Sequence, residues 1–347
     1  MKAAPVLRAV ASFGLEQKLL HTGQHYDPSM SGVFFRDLGL PEPDVNLGVG
    51  SGSHASQTAA LMVGLEGALV SLEPSLVVVY GDVNSTLAAA LVSSKLGLPV
   101  AHVEAGLRSF DDTMPEEINR RVTDLLSDLL FATSPEAIAN LAAVGVPRDR
   151  IHFVGNPMID TLFDNLDKFD AQTLGRRLAL PGRYAVVTMH RPANVDTRAG
   201  AAKVVTMVKS LSTLLPVIFP LHPRGRASLA ASGLETSQRL QVIDPLGYVD
   251  FMSLVRGAAI VVTDSGGIQE ETTVLRVPCL TVRPNTERPI TISQGTNQLV
   301  EPDEVATTAA EVLAQGSPRS RELPPLWDGR AGPRIASVVA DWLPRRR

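Results

Sequence analysis

Apolar runs of strand length alternate along the whole chain with longer stretches whose apolar positions repeat at helical spacing. Few folds accept that pattern. Strands apolar on both faces and separated by helices belong in parallel sheets covered on both sides, which makes the fold class α/β. The runs read as strands are 18–21, 75–80, 100–103, 129–132 and 151–154, then 184–189, 216–219, 240–243, 260–263 and 279–282. A charge-rich stretch at 160–183, ending Leu180-Pro181-Gly182-Arg183, separates the two sets. The expected organisation is a first α/β domain at 1–165, a second at 166–330, and a final stretch at 331–347 whose helix packs back on the first domain.

Composition narrows the function classes. A length of 347 residues suits two domains, and 44% hydrophobic with 20% charged residues is the make-up of an ordinary globular chain, not a disordered one. With 32 basic against 36 acidic residues the net charge is −4, so no excess positive field draws the chain to nucleic acid or to an anionic membrane. No apolar run reaches the length of about 18 residues that crosses a bilayer, and no membrane span is expected. The first dozen residues are apolar, yet Pro5 and Arg8 interrupt them and no small-residue cleavage site follows, which favours a helix over a signal peptide. Cys279 is the single cysteine; it has no partner for a disulfide or a thiolate zinc site, and the expected setting is the cytoplasm.

In open α/β sheets ligands bind beyond the carboxyl ends of the strands. Polar residues recur there: Asp82, Glu104, His190, His222, and Asp264 with Ser265 each follow an apolar run. For any one of them a helix cap is the plain alternative, but five strand ends carrying acid, base or hydroxyl groups point to a site. The sharpest segment is Asp264-Ser265-Gly266-Gly267-Ile268-Gln269-Glu270-Glu271. Glycines at a strand-to-helix turn admit close backbone approach, and the helix start offers free N–H groups to a phosphate. Glu271, a turn further on, suits a ribose diol, or else is a solvated first-turn acid.

Other motifs fail their own tests. Gly48-Val49-Gly50-Ser51-Gly52-Ser53 lacks the third glycine of a dinucleotide loop and follows no convincing strand, so it reads as a plain loop. Walker A, H-E-x-x-H and G-x-S-x-G sequences are missing, and with them the ATPase, zincin and serine-hydrolase readings. His21 and His25 straddle a strand end and are not read as a metal pair. No metal and no cofactor are expected.

Taken in order, Thr22-Gly23-Gln24-His25-Tyr26-Asp27, Gly81-Asp82-Val83-Asn84-Ser85, His102-Val103-Glu104-Ala105-Gly106-Leu107-Arg108-Ser109, Pro115-Glu116-Glu117-Ile118-Asn119-Arg120, Gly155-Asn156, Thr188-Met189-His190-Arg191, Asp264 to Glu271, Glu287-Arg288-Pro289 and Asp328-Gly329-Arg330-Ala331 resemble the non-hydrolysing UDP-N-acetylglucosamine 2-epimerases. The resemblance spans nearly the whole chain. It implies the GT-B architecture, two Rossmann-like doubly wound domains with an interdomain cleft, and interconversion of UDP-GlcNAc and UDP-ManNAc by loss and return of UDP through a 2-acetamidoglucal. It places Asp82, Glu104 and Glu116 near the sugar without saying which is base and which acid. His190, Arg191, Ser265, Gly266 and Gly267 fall to the phosphates, Glu271 to the ribose and Phe251 to the uracil. Arg120, Arg108, Gln24 and His222 are supporting residues, with core packing the alternative for Phe251 and a surface ion pair for Arg120. The resemblance also implies a UDP-sugar substrate, a homodimer and a role in cell-surface polysaccharide synthesis.

Three departures matter. Family members open with a strand and a Gly-Thr-Arg-Pro-Glu loop before a helix bearing a functional lysine; Lys2 matches that lysine, and the strand and arginine ahead of it are not in the sequence, so a misplaced start codon is expected. After His190-Arg191 the family carries an acid and Asn, whereas Ala193 stands at the acidic position here. Bacterial members are activated by a second UDP-GlcNAc; Gln24 and Gln57 match that site, with Ser56 where an arginine would stand. A GT-B glycosyltransferase and a UDP-sugar-binding protein without turnover are the alternatives.

Overall fold

The computed structural model describes residues 1–23, 35, 37–221, 223–315 and 322–343. Contacts divide the chain into one unit of Met1–Asp164 with Pro325–Arg347 and a second of Asn165–Pro324. Both are α/β with parallel sheets, as expected of Rossmann-like units in the GT-B class.

The first unit contains α1 (Ala3–Ser12), β1 (Leu20–His21), β2 (Val45–Asn46), α2 (His54–Leu72), β3 (Val77–Tyr80), α3 (Asn84–Lys95), β4 (Val100–Ala105), α4 (Pro115–Leu126), β5 (Leu129–Ala132), α5 (Pro135–Ala143), β6 (Ile151–Phe153) and α6 (Pro157–Asp164). Strands β3, β4, β5 and β6 form one parallel sheet in that order, and β1 and β2 form a separate parallel pair. Every residue of β4 and β5 is buried, whereas β3, at the sheet edge, is mostly half-buried. Alternation along the strands splits the core. Ala101, Val103 and Phe131 meet Val6 and Val10 of α1 on one face, and Val79 and Val100 meet Leu61, Leu65 and Leu69 of α2 on the other. Each such aliphatic side chain stabilises the fold by about 1.5–3 kcal/mol when fully buried.

α2, 19 residues long, is a longer apolar stretch than the sequence reading expected and by length and composition alone could cross a membrane. Its stripe at i, i+4 and i+8, Leu61, Leu65 and Leu69, is instead packed in the core, while Val63 and Val70 on the outer face are 73% and 59% exposed.

The second unit runs α7 (Ala171–Arg177), β7 (Ala185–Thr188), α8 (Pro192–Val195), α9 (Arg198–Leu214), β8 (Val217–Pro220), α10 (Pro223–Ala231), β9 (Leu240–Ile243), α11 (Tyr248–Gly257), β10 (Ile260–Thr263), α12 (Gly266–Leu275), β11 (Cys279–Val282), α13 (Ile290–Ser293), β12 (Asn297–Val300) and α14 (Val305–Gln315). Its six parallel strands lie in the order β12-β11-β10-β7-β8-β9. The chain builds outward from β7 through β8 to β9, then returns to lay β10 on the other side of β7. The winding reverses between β7 and β10, the point where open sheets bind ligands.

α15 (Ala331–Trp342) then packs on α1 in the first unit. A Cβ at Gly332 would meet the Pro5 carbonyl oxygen at 2.7 Å, so glycine permits this approach. Asp160 accepts from the N–H groups of Ala331 and Gly332 at 3.0 and 2.7 Å, satisfying the helix start. The return to the first unit falls at 325 instead of 331 because Trp327 is buried there, its Nε1–H donating to the Thr133 carbonyl at 2.9 Å.

Candidate functional site

In the second unit the chain leaves β7 through Met189-His190-Arg191 into α8, and leaves β10 through Asp264-Ser265 into α12. Asp264 ties these turns together. Its fully buried carboxylate accepts from the backbone N–H of His190 and Arg191 at 3.1 and 2.9 Å and from Asn194 Nδ2 at 2.9 Å, and lies 2.8 Å from His190 Nδ1. Burial works to raise its pKa, but the bonds from His190, Asn194 and Arg191 outweigh that and hold it below the ordinary value. With Nδ1 turned to the carboxylate, Nε2 is the outward ring atom of a side chain that is 46% exposed.

Beside this anchor α12 begins. Ser265 occupies the N-cap without its side chain bonding the first turn, so the N–H groups and dipole there are open to an anion. Gly266 is sterically required: a Cβ would lie 2.5 Å from Arg288 Nη1 and 2.8 Å from Glu287 Oε1. Behind it Arg288 pairs with Glu287 and, at 2.8 Å, with Glu270, while Arg283 pairs with Glu287 at 2.7 Å. Burial pushes the Glu271 carboxyl up to about 8, Glu270 adds to that shift, and the Tyr248 hydroxyl opposes it. Phe251, half-buried, stands three residues beyond Tyr248 on α11.

In the first unit Asp82 and Glu104, two of the residues expected near the sugar, lie at the end of β3. Glu104 sits where the β4–β5 register slips, at φ +75°, a conformation costly for a non-glycine residue. It is 3% exposed and ion-paired with Lys2. A Cβ at Gly81 would lie 3.0 Å from Lys2 Nζ and 3.3 Å from Glu104 Oε2, so the turn carrying Asp82 presses on that pair. Arg120 Nε bonds Asp82 at 3.0 Å and Arg120 Nη1 bonds Glu117 at 2.5 Å. At 2% exposure Arg120 is no surface ion pair. Glu116 is half-buried in the first turn of α4. Arg108 pairs with buried Asp124 at 2.7 Å; Asp124 also holds His102 Nδ1 at 2.7 Å, while His102 Nε2 meets the Gly81 carbonyl at 2.8 Å. The turn before Asp82 is thereby fixed from beneath.

Gln24 and His222 lie outside the described residues. Gln57 is committed to the chain, donating to the Gly50 carbonyl and accepting from Asn84, both at 2.8 Å. Sequence reasoning gave no specific role to Asp264, Glu117, Asp124 or His102. Asp264 was visible as a strand-end acid; Glu117 and Asp124 have no local signal, since their partners come from other elements or the buried helix face. Among the described residues no group of three or more His, Cys, Asp or Glu is placed to hold a metal ion.

Residues 8–340 match the family described as UDP-N-acetylglucosamine 2-epimerase. The UDP-N-acetylglucosamine 2-epimerase of Methanocaldococcus jannaschii is 37% identical over 350 residues, covering 98% of this chain and 95% of its own. The UDP-2,3-diacetamido-2,3-dideoxy-D-glucuronate 2-epimerase of Pseudomonas aeruginosa is 38% identical over 348 residues, covering 98% and 96%. The crystal structure of the M. jannaschii UDP-GlcNAc 2-epimerase in complex with UDP-GlcNAc and UDP is similar at a TM-score of 0.91 and 38% identity, covering 98% of this chain and 96% of that one.

Proposed function

The chain belongs to the non-hydrolysing UDP-N-acetylglucosamine 2-epimerase family, and from that premise we propose how its residues carry out the interconversion of UDP-GlcNAc and UDP-ManNAc. C2 of the hexose has no adjacent carbonyl, so its hydrogen is too weakly acidic for direct removal and return. Breaking the anomeric C1–O bond first places positive character on C1 and acidifies that hydrogen. UDP departs, a 2-acetamidoglucal remains, and protonation at C2 from the other face with return of UDP to C1 completes the inversion.

The second unit holds UDP throughout. The first turn of α12, from Ser265 through Gly267, takes the phosphate charge, and His190 and Arg191 add donors from the neighbouring turn. Glu271 serves the ribose and Phe251 the uracil. The first unit supplies the carboxyls Asp82, Glu104 and Glu116, which act as base and acid at C2 and steady the oxocarbenium character. Lys2 holds Glu104 and Arg120 holds Asp82. The observation that carries this reading is Asp264: one buried carboxylate fastens His190 and Arg191 beside a helix start left open for an anion.

The test is an incubation with UDP-GlcNAc alone in D2O. UDP-ManNAc carrying deuterium at C2 is the expected product. Free ManNAc with UDP marks hydrolysis, and turnover only with an added acceptor marks a glycosyltransferase; either overturns the reading. Parallel incubation with UDP-2,3-diacetamido-2,3-dideoxyglucuronate decides the sugar, because the Pseudomonas relative is named for that substrate.

The reading extends to the cell. A lone buried Cys279 and a nucleotide-sugar substrate support a cytoplasmic enzyme feeding cell-surface polysaccharide synthesis. The exposed apolar face of α2 at Val63 and Val70 supports a homodimer. Activation by a second UDP-GlcNAc rests on the family resemblance alone.

A further inference from the structure

Asp82 is held through its backbone as well as its side chain. The successive carbonyls of Tyr80, Gly81 and Asp82 accept from Thr86 Oγ1, His102 Nε2 and Asn119 Nδ2, each at 2.8 Å. Asn119 differs from the other two donors because its neighbour on α4, Arg120, holds the Asp82 carboxylate through Nε at 3.0 Å. Consecutive residues of one helix thus fix the main chain and the carboxylate of one acid. The same helix carries Glu116 in its first turn.

Asn119 is 4% exposed and is itself held by a row of amides. Its Nδ2 also donates to Asn84 Oδ1 at 3.3 Å, Asn84 Nδ2 donates to Gln57 Oε1 at 2.8 Å, and Gln57 Nε2 donates to the Gly50 carbonyl at 2.8 Å. The second hydrogen of Asn84 Nδ2 faces His54, whose Nδ1 lies 3.1 Å away. A backbone carbonyl only accepts, so each end of the row sets its direction independently. From the Gly50 end, Gln57 must turn its nitrogen to the carbonyl and its oxygen to Asn84. From the Asp82 end, Asn119 must offer nitrogen to the carbonyl and, from the same atom, to Asn84. Asn84 meets both demands, oxygen toward Asn119 and nitrogen toward Gln57. Every amide in the row has one orientation, and turning any of them sets like groups against each other inside the protein.

The structure assigns Asn119, backed by Asn84, as a positioning residue for Asp82: the pair holds the turn after β3 so that the Asp82 carboxylate stays on Arg120 and in a fixed place relative to Glu116. Asn119 acts through Asp82 and not on the sugar. Both asparagines stand in the segments Gly81–Ser85 and Pro115–Arg120, where the sequence gives them no role of their own. The assignment rests on the reading of Asp82 as a carboxyl that works at C2.

A double-mutant cycle on the full chain tests it, with kcat and KM measured for epimerisation of UDP-GlcNAc and UDP affinity by calorimetry. Asn119→Ala is expected to lower kcat on the order of 10–10²-fold, with KM and UDP affinity within about threefold of native. Asn84→Ala leaves the bond from Asn119 to Asp82 in place and is expected to cost less, roughly three- to tenfold in kcat. In an Asp82→Asn background Asn119→Ala is expected to cost less than about threefold, because the carboxylate that it positions is gone. A purely structural asparagine would lose activity by the same factor in both backgrounds, and that result overturns the assignment. Near-native kcat in Asn119→Ala beside a crippled Asp82→Asn overturns it too. Asn119→Ser, whose shorter side chain withdraws the donor from the carbonyl, carries the same cycle if Asn119→Ala does not fold. Near-native turnover in Asp82→Asn alone rejects the role of Asp82 and the assignment with it, so the two failures are read from different variants.

Discussion

The imidazole Nδ1 of His190 stands 2.8 Å from the carboxylate of Asp264, and this contact joins the turn after β7 to the turn after β10 across the switch point of the sheet. Both residues follow strands, so the relationship arises from strand order and not from spacing in the chain.

Asp264→Asn keeps the shape but turns an amide toward donors that expect an acceptor. Turnover is expected to fall on the order of 10²-fold, as for other groups that orient a working histidine, with far-ultraviolet circular dichroism unchanged. The pH dependence of stability checks the charge itself. Asp264 has its folded pKa held below the ordinary 3.8, so its contribution is present above that value and is lost as pH falls through the folded pKa. The stability gap between native chain and variant should hold near neutrality and narrow only in acid. A gap that is constant down to pH 2 counts against the carboxylate as the source.

Asp82→Asn and Glu104→Gln probe the other unit. Each removes a charge from the cluster of Lys2, Arg120 and the Gly81 turn. If these carboxyls work at C2, kcat falls on the order of 10²–10⁴-fold while UDP affinity, read by calorimetry, moves less than threefold. Near-native turnover in either variant rejects its role at C2. Glu117→Gln should instead lower stability, because Glu117 is buried against Arg120 and Ser109.

Most of the fold was legible because burial on both faces writes strands as apolar runs. All ten expected runs contain strands, and two strands had no such signature. β2 is only two residues long, and β12 carries Asn297, whose side chain is buried among Thr281, Gln269 and Thr291. A polar residue satisfied by other elements looks like a loop residue in sequence. The site was legible in part for the same reason. Strand-end residues such as Asp82, Glu104 and His190 announce themselves, whereas Asp124 bonds His102, Arg108 and the Gly106 N–H across the sheet and is visible only once the elements are assembled.

Gly266→Ala tests whether the opening of α12 tolerates any side chain. The added methyl would sit 2.5 Å from Arg288 Nη1, and the Arg288–Glu287 pair cannot recede without disturbing Glu270 and Arg283. UDP affinity is expected to drop roughly tenfold or more, about 1.4 kcal/mol, with a smaller loss of stability. Equal UDP binding by native chain and Gly266→Ala rejects the phosphate assignment.

Glu271 gives the molecule a stability that declines toward alkaline pH. Its carboxyl rises from the ordinary 4.5 to about 8 on burial, so below pH 4.5 it is protonated whether the chain is folded or not and the contribution is full. Between 4.5 and 8 the unfolded chain releases the proton and the folded chain keeps it. Unfolding is therefore favoured progressively as pH rises through this window, by up to several kcal/mol on the order of 1.4 for each unit. Glu271→Gln cannot titrate and should lose this slope, becoming the more stable protein near pH 8. Urea midpoints at pH 5, 6.5 and 8 read the difference, and parallel lines for the two proteins would mean that the buried carboxyl is not the group responsible.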